Sequence, residues 1–270
     1  MLGWQRTYSA SDLKRIAMGT MVLDHLAFHL MERGGTDLPM AWYILGTAMR
    51  LAGRVAFPLY GFFLVQGFFH TGDWGRYMKR MVLLALVSEI PFNLICSGRP
   101  MYPVQNTLVT LSISLLALKG IRAVQTWEPE EGAFGGRAGA VWLKTAAIVL
   151  TAAASMAASG LLNSDYGPLG VLFILILYFY NGNFQAQSLA GGAVLILLEG
   201  IVWGGFGCIA FFFISRYNGT RGRRLGYLPY VFYPAHLLII YFIRSADLWN
   251  TFLIPTPITT MRRLTRTGRA

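Results

Sequence analysis

Two ionisable residues, Asp24 and His25, stand side by side in the first apolar stretch of the chain, residues 7–30. A titratable side chain within a membrane-spanning helix is costly, and it usually faces a polar cavity in which it has a function. Lys14 precedes His25 by eleven residues, so both lie on one stripe of a helix, about 16 Å apart along its axis. This spacing predicts a channel from a basic surface to a histidine within the bilayer. The alternative is a buried histidine that a neighbouring helix satisfies.

Other polar residues within apolar stretches could reach the same cavity. Arg54 either turns inward to pair with Asp24 or extends its charged end to the membrane surface. Glu89 either ties two helices together or belongs to the site, because a carboxylate that faces lipid is excluded. For His236, in the last apolar stretch, a structural and a catalytic role are equally open.

The composition is typical of a membrane protein. Of the 270 residues, 55% are hydrophobic and 13% are charged, and the mean hydropathy is +0.49. Several apolar runs reach the roughly 20 residues needed to cross a bilayer, so we predict an all-α, polytopic helical membrane protein with about 8–10 transmembrane helices. One integral-membrane domain is expected to occupy residues 1–270. The two cysteines, Cys96 and Cys208, lack metal-ligand spacing and are interpreted as packing residues, so no metal site is expected.

The net charge of +11 does not indicate a nucleic-acid partner, because the basic residues stand at the ends of apolar runs. Three basic connections are assigned to the cytoplasmic side: residues 71–80, 119–144 and 216–226. This assignment requires residues 42–70 to cross the membrane once and residues 185–217 to cross it twice. The basic C-terminal tail does not fit this count, and its side stays open.

Two long apolar runs contain interruptions that divide them into separate helices. Gly53-Arg54 interrupts residues 42–70, which predicts an amphipathic helix before the break and a spanning helix from about Val55. Glu199-Gly200 lies near the centre of residues 185–217, which predicts two helices joined by a tight turn.

Six motifs together resemble those of the TraX family, in the same order and over nearly the whole chain. They are Leu13-Lys14-Arg15-Ile16-Ala17 with Met21 and Asp24-His25, Gly53-Arg54-Val55-Ala56-Phe57-Pro58, Ser88-Glu89-Ile90-Pro91-Phe92-Asn93, Asp165-Tyr166-Gly167, Tyr217-Asn218-Gly219 with Gly222, and Phe232-Tyr233-Pro234-Ala235-His236-Leu237. The namesake of the family is a conjugal-transfer protein that N-acetylates F-type pilin. The family in turn resembles the acyltransferase family three and the heparan-α-glucosaminide N-acetyltransferase group.

The resemblance implies a multi-pass acetyltransferase of the bacterial inner or cytoplasmic membrane. It would move an acetyl group from cytosolic acetyl-CoA to an acceptor amine or hydroxyl at or across the lipid bilayer. His25 would be the base that deprotonates the acceptor or a transient acetyl carrier, which suits a side chain with an unperturbed pKa of about 6.5. Lys14, Lys79 and Arg80 would meet the phosphates of CoA. The remaining site residues expected on this basis are Asp24, Arg54, Glu89, Tyr233 and His236.

A proton-coupled transporter or flippase is the alternative function, with Asp24, His25, Glu89 and His236 as a proton relay. The sequence shows no clear inverted repeat of the kind that many secondary transporters have. A non-catalytic scaffold would leave the intramembrane charges without a role. No residue identifies the acceptor, so a pilin-like peptide, a glycan and a lipid-linked sugar are equally open.

Overall fold

The computed structural model describes residues 7–32, 39–129 and 136–246, and the basic C-terminal tail lies outside these ranges. The described residues form ten α-helices and one π-helical segment, with isolated bridges as their only β-type pairing. The all-α prediction is therefore confirmed. The α-helices are α1 (Ala10–Leu26), α2 (Met40–Gly53), α3 (Ala56–His70), α4 (Trp74–Ser97), α5 (Thr107–Thr126), α6 (Gly136–Leu161), α7 (Gly167–Phe179), α8 (Phe184–Gly207), α9 (Ile209–Ser215) and α10 (Leu228–Ser245), and the π-helical segment Ala27–Glu32 continues α1.

Five helical stretches in the described ranges are long and apolar enough to span a bilayer, which makes this a multi-pass membrane protein. They are Met40–His70 (α2 with α3), Trp74–Ser97, Thr107–Thr126, Gly136–Leu161 and Phe184–Gly207, the last of which turns at Gly200. The other helices, α1, α7, α9 and α10, have 17, 13, 7 and 18 residues. Length and composition do not show which of these also cross, so the expected total of crossings stays a prediction.

The first helix begins at a complete capping box. Asp12 donates its backbone N–H to the Ser9 hydroxyl, and the Asp12 carboxylate accepts the backbone N–H of Ser9 at 3.1 Å. The backbone N–H of Ser11 donates to the carbonyl oxygen of Arg221 at 3.2 Å, so the connection before α10 holds the start of α1. Lys14, in the next turn of α1, is positioned by these contacts.

Two of the three connections assigned from basic residues in the sequence are shorter in the structure, because helices extend into them. α4 begins at Trp74, so most of residues 71–80 is helical rather than loop. The connection assigned to residues 119–144 is shortened from both sides, because α5 continues to Thr126 and α6 starts at Gly136. The physical reason is that Lys and Arg are good helix formers whose long side chains let an apolar helix continue into the polar surface layer.

The predicted break at Gly53-Arg54 is present, with α2 ending at Gly53 and α3 starting at Ala56. A Cβ on Gly53 would lie 2.8 Å from Cγ of Asp24, so only glycine allows α2 to end against α1. This close approach places Arg54 beside Asp24.

The second predicted break, at Glu199-Gly200, folds α8 back on itself. Gly200 has φ 83° and ψ 171°, a conformation that residues with a Cβ rarely adopt. Gly204 lies four residues after Gly200, and Ile196 lies four residues before it. A Cβ on Gly204 would lie 2.6 Å from the Cα of Ile196. Residues 184–199 and 201–215 therefore run antiparallel in close contact, which confirms the two tightly joined helices.

The core that supports the site is built around α7. Val171, Phe173 and Ile174 of this helix have no exposed surface, and α7 packs against α3, α5, α6 and α8. The first helix packs against α2, α3 and α10. A buried space between α1, α3, α4 and α10 follows from this arrangement.

Candidate functional site

A cavity of about 640 Å³ extends along α1 and α4. Its wall includes Lys14 near the start of α1 and His25 near its end. On α4 it includes both Tyr77 and Cys96, whose positions are separated by about 28 Å of helix. One cavity therefore connects a basic end, near Lys14, with a histidine deep in the helix bundle.

His25 contacts His236 directly, and the contact defines a tautomer for each ring. Nδ1 of His25 lies 2.8 Å from Nε2 of His236, and the ring planes differ by 7°. Nδ1 of His236 lies 2.8 Å from the carbonyl oxygen of Phe232. Because a carbonyl oxygen can only accept, Nδ1 of His236 carries the hydrogen, and its Nε2 accepts the hydrogen on Nδ1 of His25. In this neutral pair, Nε2 of His25 is an unprotonated nitrogen.

His236 supports His25 from behind the cavity wall. Its residue surface is 6% exposed, and the Phe232 ring stacks on it with centroids 4.6 Å apart. Tyr233, the next residue on α10, lines the cavity and contacts the His236 ring edge to face. The predicted residues His25, Tyr233 and His236 are thus brought together.

Arg54 connects three helices through two ion pairs. Its Nη2 lies 2.6 Å from Oδ2 of Asp24 on α1, and its Nη1 lies 3.1 Å from Oε1 of Glu199 at the turn of α8. Arg50 of α2 adds a longer contact, with Nε 3.9 Å from Oδ1 of Asp24. The inward orientation of Arg54, one of the two expectations for this residue, is the observed one.

Glu89 lies outside the wall that the described residues form around the cavity. Its carboxylate accepts the backbone N–H of Asn106 at 3.2 Å and also the side-chain amide of that residue. Asn106 is the N-cap of α5, so Glu89 ties α4 to α5. This is the tether interpretation, and a catalytic role for Glu89 stays a prediction.

The basic end of the cavity contains two of the three lysine and arginine residues expected there. Nζ of Lys14 lies 5.2 Å from the centroid of the Phe63 ring, and Arg80 also lines the wall. Lys79 is exposed and is not among the lining residues. Tyr77 and Tyr230 complete this end with aromatic surface.

Sequence reasoning missed several polar residues of the wall. Glu199 is an ionisable residue in an apolar run, and the criterion that selected Glu89 could have selected it as well. Asp165-Tyr166 belonged to a motif of the TraX resemblance but was not assigned to the site. The polar wall residues that were not predicted are His29, Arg50, Tyr60, Tyr77, Tyr102, Thr107, Asp165, Tyr166, Glu199 and Tyr230.

This fold and cavity define a multi-pass helical membrane protein that buries a histidine pair beside a cluster of paired charges. The model of the family described as TraX protein matches residues 9–244. The chain belongs to the TraX family, as its motifs predicted.

A curated relative supports the same assignment. The chain is 31% identical over 258 residues to a protein of Dichelobacter nodosus described as "Probable fimbrial assembly protein FimC, serogroup H1". The match covers 86% of this chain and 94% of that protein. No solved structure matches the chain significantly.

Proposed function

We propose that this protein is an acetyltransferase embedded in the bacterial inner or cytoplasmic membrane. It moves the acetyl group of cytosolic acetyl-CoA to an amine or hydroxyl of an acceptor at or across the bilayer. The observation that carries the proposal is the unprotonated Nε2 that the contact with His236 leaves on His25, in a cavity that begins at Lys14 and Arg80.

The residues at the basic end of the cavity suit acetyl-CoA, the acetyl donor. Lys14 and Arg80 offer two cations for the phosphates of CoA, with Arg80 able to bind two phosphate oxygens at once and Lys14 acting as a point charge. From Lys14 the cavity continues along α1 for about 16 Å to His25. A long, narrow thioester donor suits this distance between the cations and the base.

His25 is the proton-transferring group in this mechanism. It takes the proton from the acceptor as the acceptor nitrogen or oxygen forms its bond to the acetyl carbon. The positive charge on His25 is stabilised by His236, whose Nε2 accepts from Nδ1 of His25. His25 then returns the proton to sulfur as the carbon–sulfur bond breaks, so that CoA leaves as the free thiol.

The description of the Dichelobacter nodosus relative supports a peptide acceptor. That protein is described as a probable fimbrial assembly protein, and a fimbrial or pilin-like subunit is an acceptor class with free amines and hydroxyls. A glycan or a lipid-linked sugar is the second class. The far end of the cavity, near Phe92, Cys96 and Tyr102, is the side from which such an acceptor would approach His25.

The test is acetyl transfer by the purified protein in lipid vesicles. With acetyl-labelled acetyl-CoA, the parent protein is expected to release CoA thiol and to pass label to an acceptor or to water. His25→Ala should lower this turnover by about 10²–10⁴-fold, the range for removing a general base. His70→Ala is the matched control, because His70 is exposed at the end of α3.

Two results would contradict the proposal. One is full turnover by a folded His25→Ala protein. The other is a parent protein that never consumes acetyl-CoA but carries a solute across the vesicle membrane when a proton gradient is applied, which would favour the proton-coupled transporter.

A further inference from the structure

Asp165 lines the same cavity as His25, but its carboxyl group has no role in the mechanism above. It lies in the turn between α6 and α7, within electrostatic range of Arg54. The carboxylates of Asp24 and Glu199 each bind Arg54. Among the described residues, no ion pair involves Asp165, so its acceptor capacity is not taken up by a cation.

Hydrogen bonds hold Asp165 in one position. Thr107 donates its hydroxyl to Oδ2, and the backbone N–H of Tyr166 donates to Oδ1 at 3.1 Å. The backbone N–H of Asp165 donates to the carbonyl oxygen of Gln105 at 2.9 Å. The two oxygens of a carboxylate together offer about four lone-pair positions, and the bonds from Thr107 and Tyr166 use two of them. The others can accept hydrogen bonds from a ligand in the cavity.

The turn is held in a conformation that most side chains avoid. Tyr166 has φ 63°, in the left-handed region, although it is not glycine. Its ring stacks on Phe57 with centroids 3.7 Å apart, and a Cβ on Gly170 would lie 2.7 Å from the Tyr166 Cβ. Backbone strain of this kind persists where the surroundings enforce it, and it is concentrated at functional sites.

We propose that Asp165 is a binding residue for the acceptor. Its carboxyl group accepts a hydrogen bond from an N–H or O–H of the acceptor and holds the nucleophile for deprotonation by His25. The inference rests on the proposed acetyltransferase function. It requires an acceptor whose reacting group carries an N–H or O–H. It also assigns acceptor binding to Asp165 and acetyl-CoA binding to Lys14 and Arg80.

The experiment uses two small acceptors, glycinamide for the amine class and glycolamide for the hydroxyl class. The full-length protein in vesicles is given acetyl-CoA with each probe, and acetylated probe and hydrolysed acetyl-CoA are measured separately. Asp165→Asn keeps the size of the side chain and one acceptor oxygen. It should lower the ratio of transfer to hydrolysis by about tenfold, the upper end of the effect of one lost hydrogen bond.

Two further variants are compared with Asp165→Asn, one beside it and one outside the cavity. Thr107→Val removes the hydroxyl that holds Asp165, and it should lower the same ratio by a smaller factor. Glu128→Gln is the matched control, because Glu128 is exposed and outside the cavity, and it should leave the ratio unchanged. The probe that the parent protein prefers identifies the nucleophile as amine or hydroxyl.

The outcomes separate this inference from the function on which it rests. A parent protein that neither hydrolyses nor transfers acetyl groups overturns the acetyltransferase proposal. When the parent protein acetylates either probe, an unchanged transfer-to-hydrolysis ratio in Asp165→Asn overturns only the role of Asp165.

Discussion

Nη2 of Arg54 lies 2.6 Å from Oδ2 of Asp24, the residue that directly precedes His25. The pair joins the end of α2 to α1, and Glu199 extends it to the turn of α8. Side-chain exposure of all three residues is between 13% and 15%. The cluster therefore fixes the depth of α1 in the bundle, and with it the position of His25 in the cavity.

The first prediction concerns this cluster. Asp24→Asn and Arg54→Gln should each destabilise the protein, because a buried charge that loses its partner costs about 3–5 kcal/mol. Arg54→Gln should cost more, since it leaves both Asp24 and Glu199 without this cation. The double variant should cost clearly less than the sum of the two single changes. Thermal unfolding of the four detergent-solubilised proteins measures the coupling.

The matched control for that cycle is Arg76→Gln. Arg76 pairs with Asp73 at 3.3 Å, but their side chains are 68% and 53% exposed, so the loss should stay within about 1 kcal/mol. Strict additivity of the Asp24 and Arg54 changes would contradict the coupling.

The second prediction concerns His236. His236→Phe keeps an aromatic ring against Phe232 but removes the nitrogen that accepts from His25. We expect a lower kcat with an almost unchanged KM for acetyl-CoA, and a loss smaller than that of His25→Ala. His236→Gln offers an acceptor oxygen and should recover part of the activity. Parent-like kinetics in a folded His236→Phe protein would show that the histidine contact does not support catalysis.

The third prediction concerns the basic end of the cavity. Lys14→Ala and Arg80→Ala should each raise KM for acetyl-CoA more than they lower kcat, because these residues are proposed to bind the phosphates before and during the reaction. Lys79→Ala is the internal comparison, since Lys79 is the neighbour of Arg80 but does not line the cavity. Steady-state kinetics that show an equal effect at Lys79, or a loss confined to kcat, would be inconsistent with this assignment.

The fourth prediction concerns the fold of α8. A Cβ on Gly204 would lie 2.6 Å from backbone atoms of the opposite arm, whereas a Cβ on Gly205 has no neighbour within 4 Å. Gly204→Ala should therefore separate the arms and lower the melting temperature, and it should weaken the contact between Glu199 and Arg54. Gly205→Ala should melt close to the parent protein. Equal melting temperatures for the two variants would show that the arms do not pack as described.

The sequence by itself determined the features that depend on short-range pattern. Apolar run length indicated a multi-pass helical protein, and the eleven-residue spacing of Lys14 and His25 placed both on one cavity-facing stripe because a helix has a known period. The interruptions at Gly53-Arg54 and Glu199-Gly200 marked the two helix breaks, because glycine within an apolar helical run is a local signal of a break.

Only the tertiary structure decided which polar groups meet. His25 and His236 are 211 positions apart, and Arg54 and Glu199 are 145 apart. Such pairs depend on how helices rotate and pack against one another, and local periodicity carries no information about that rotation. The same reason explains why Glu89, which has the same residue type as Glu199, ties α4 to α5 while Glu199 reaches the cavity. Asp165 likewise joins the wall only because the turn before α7 packs against the start of α5.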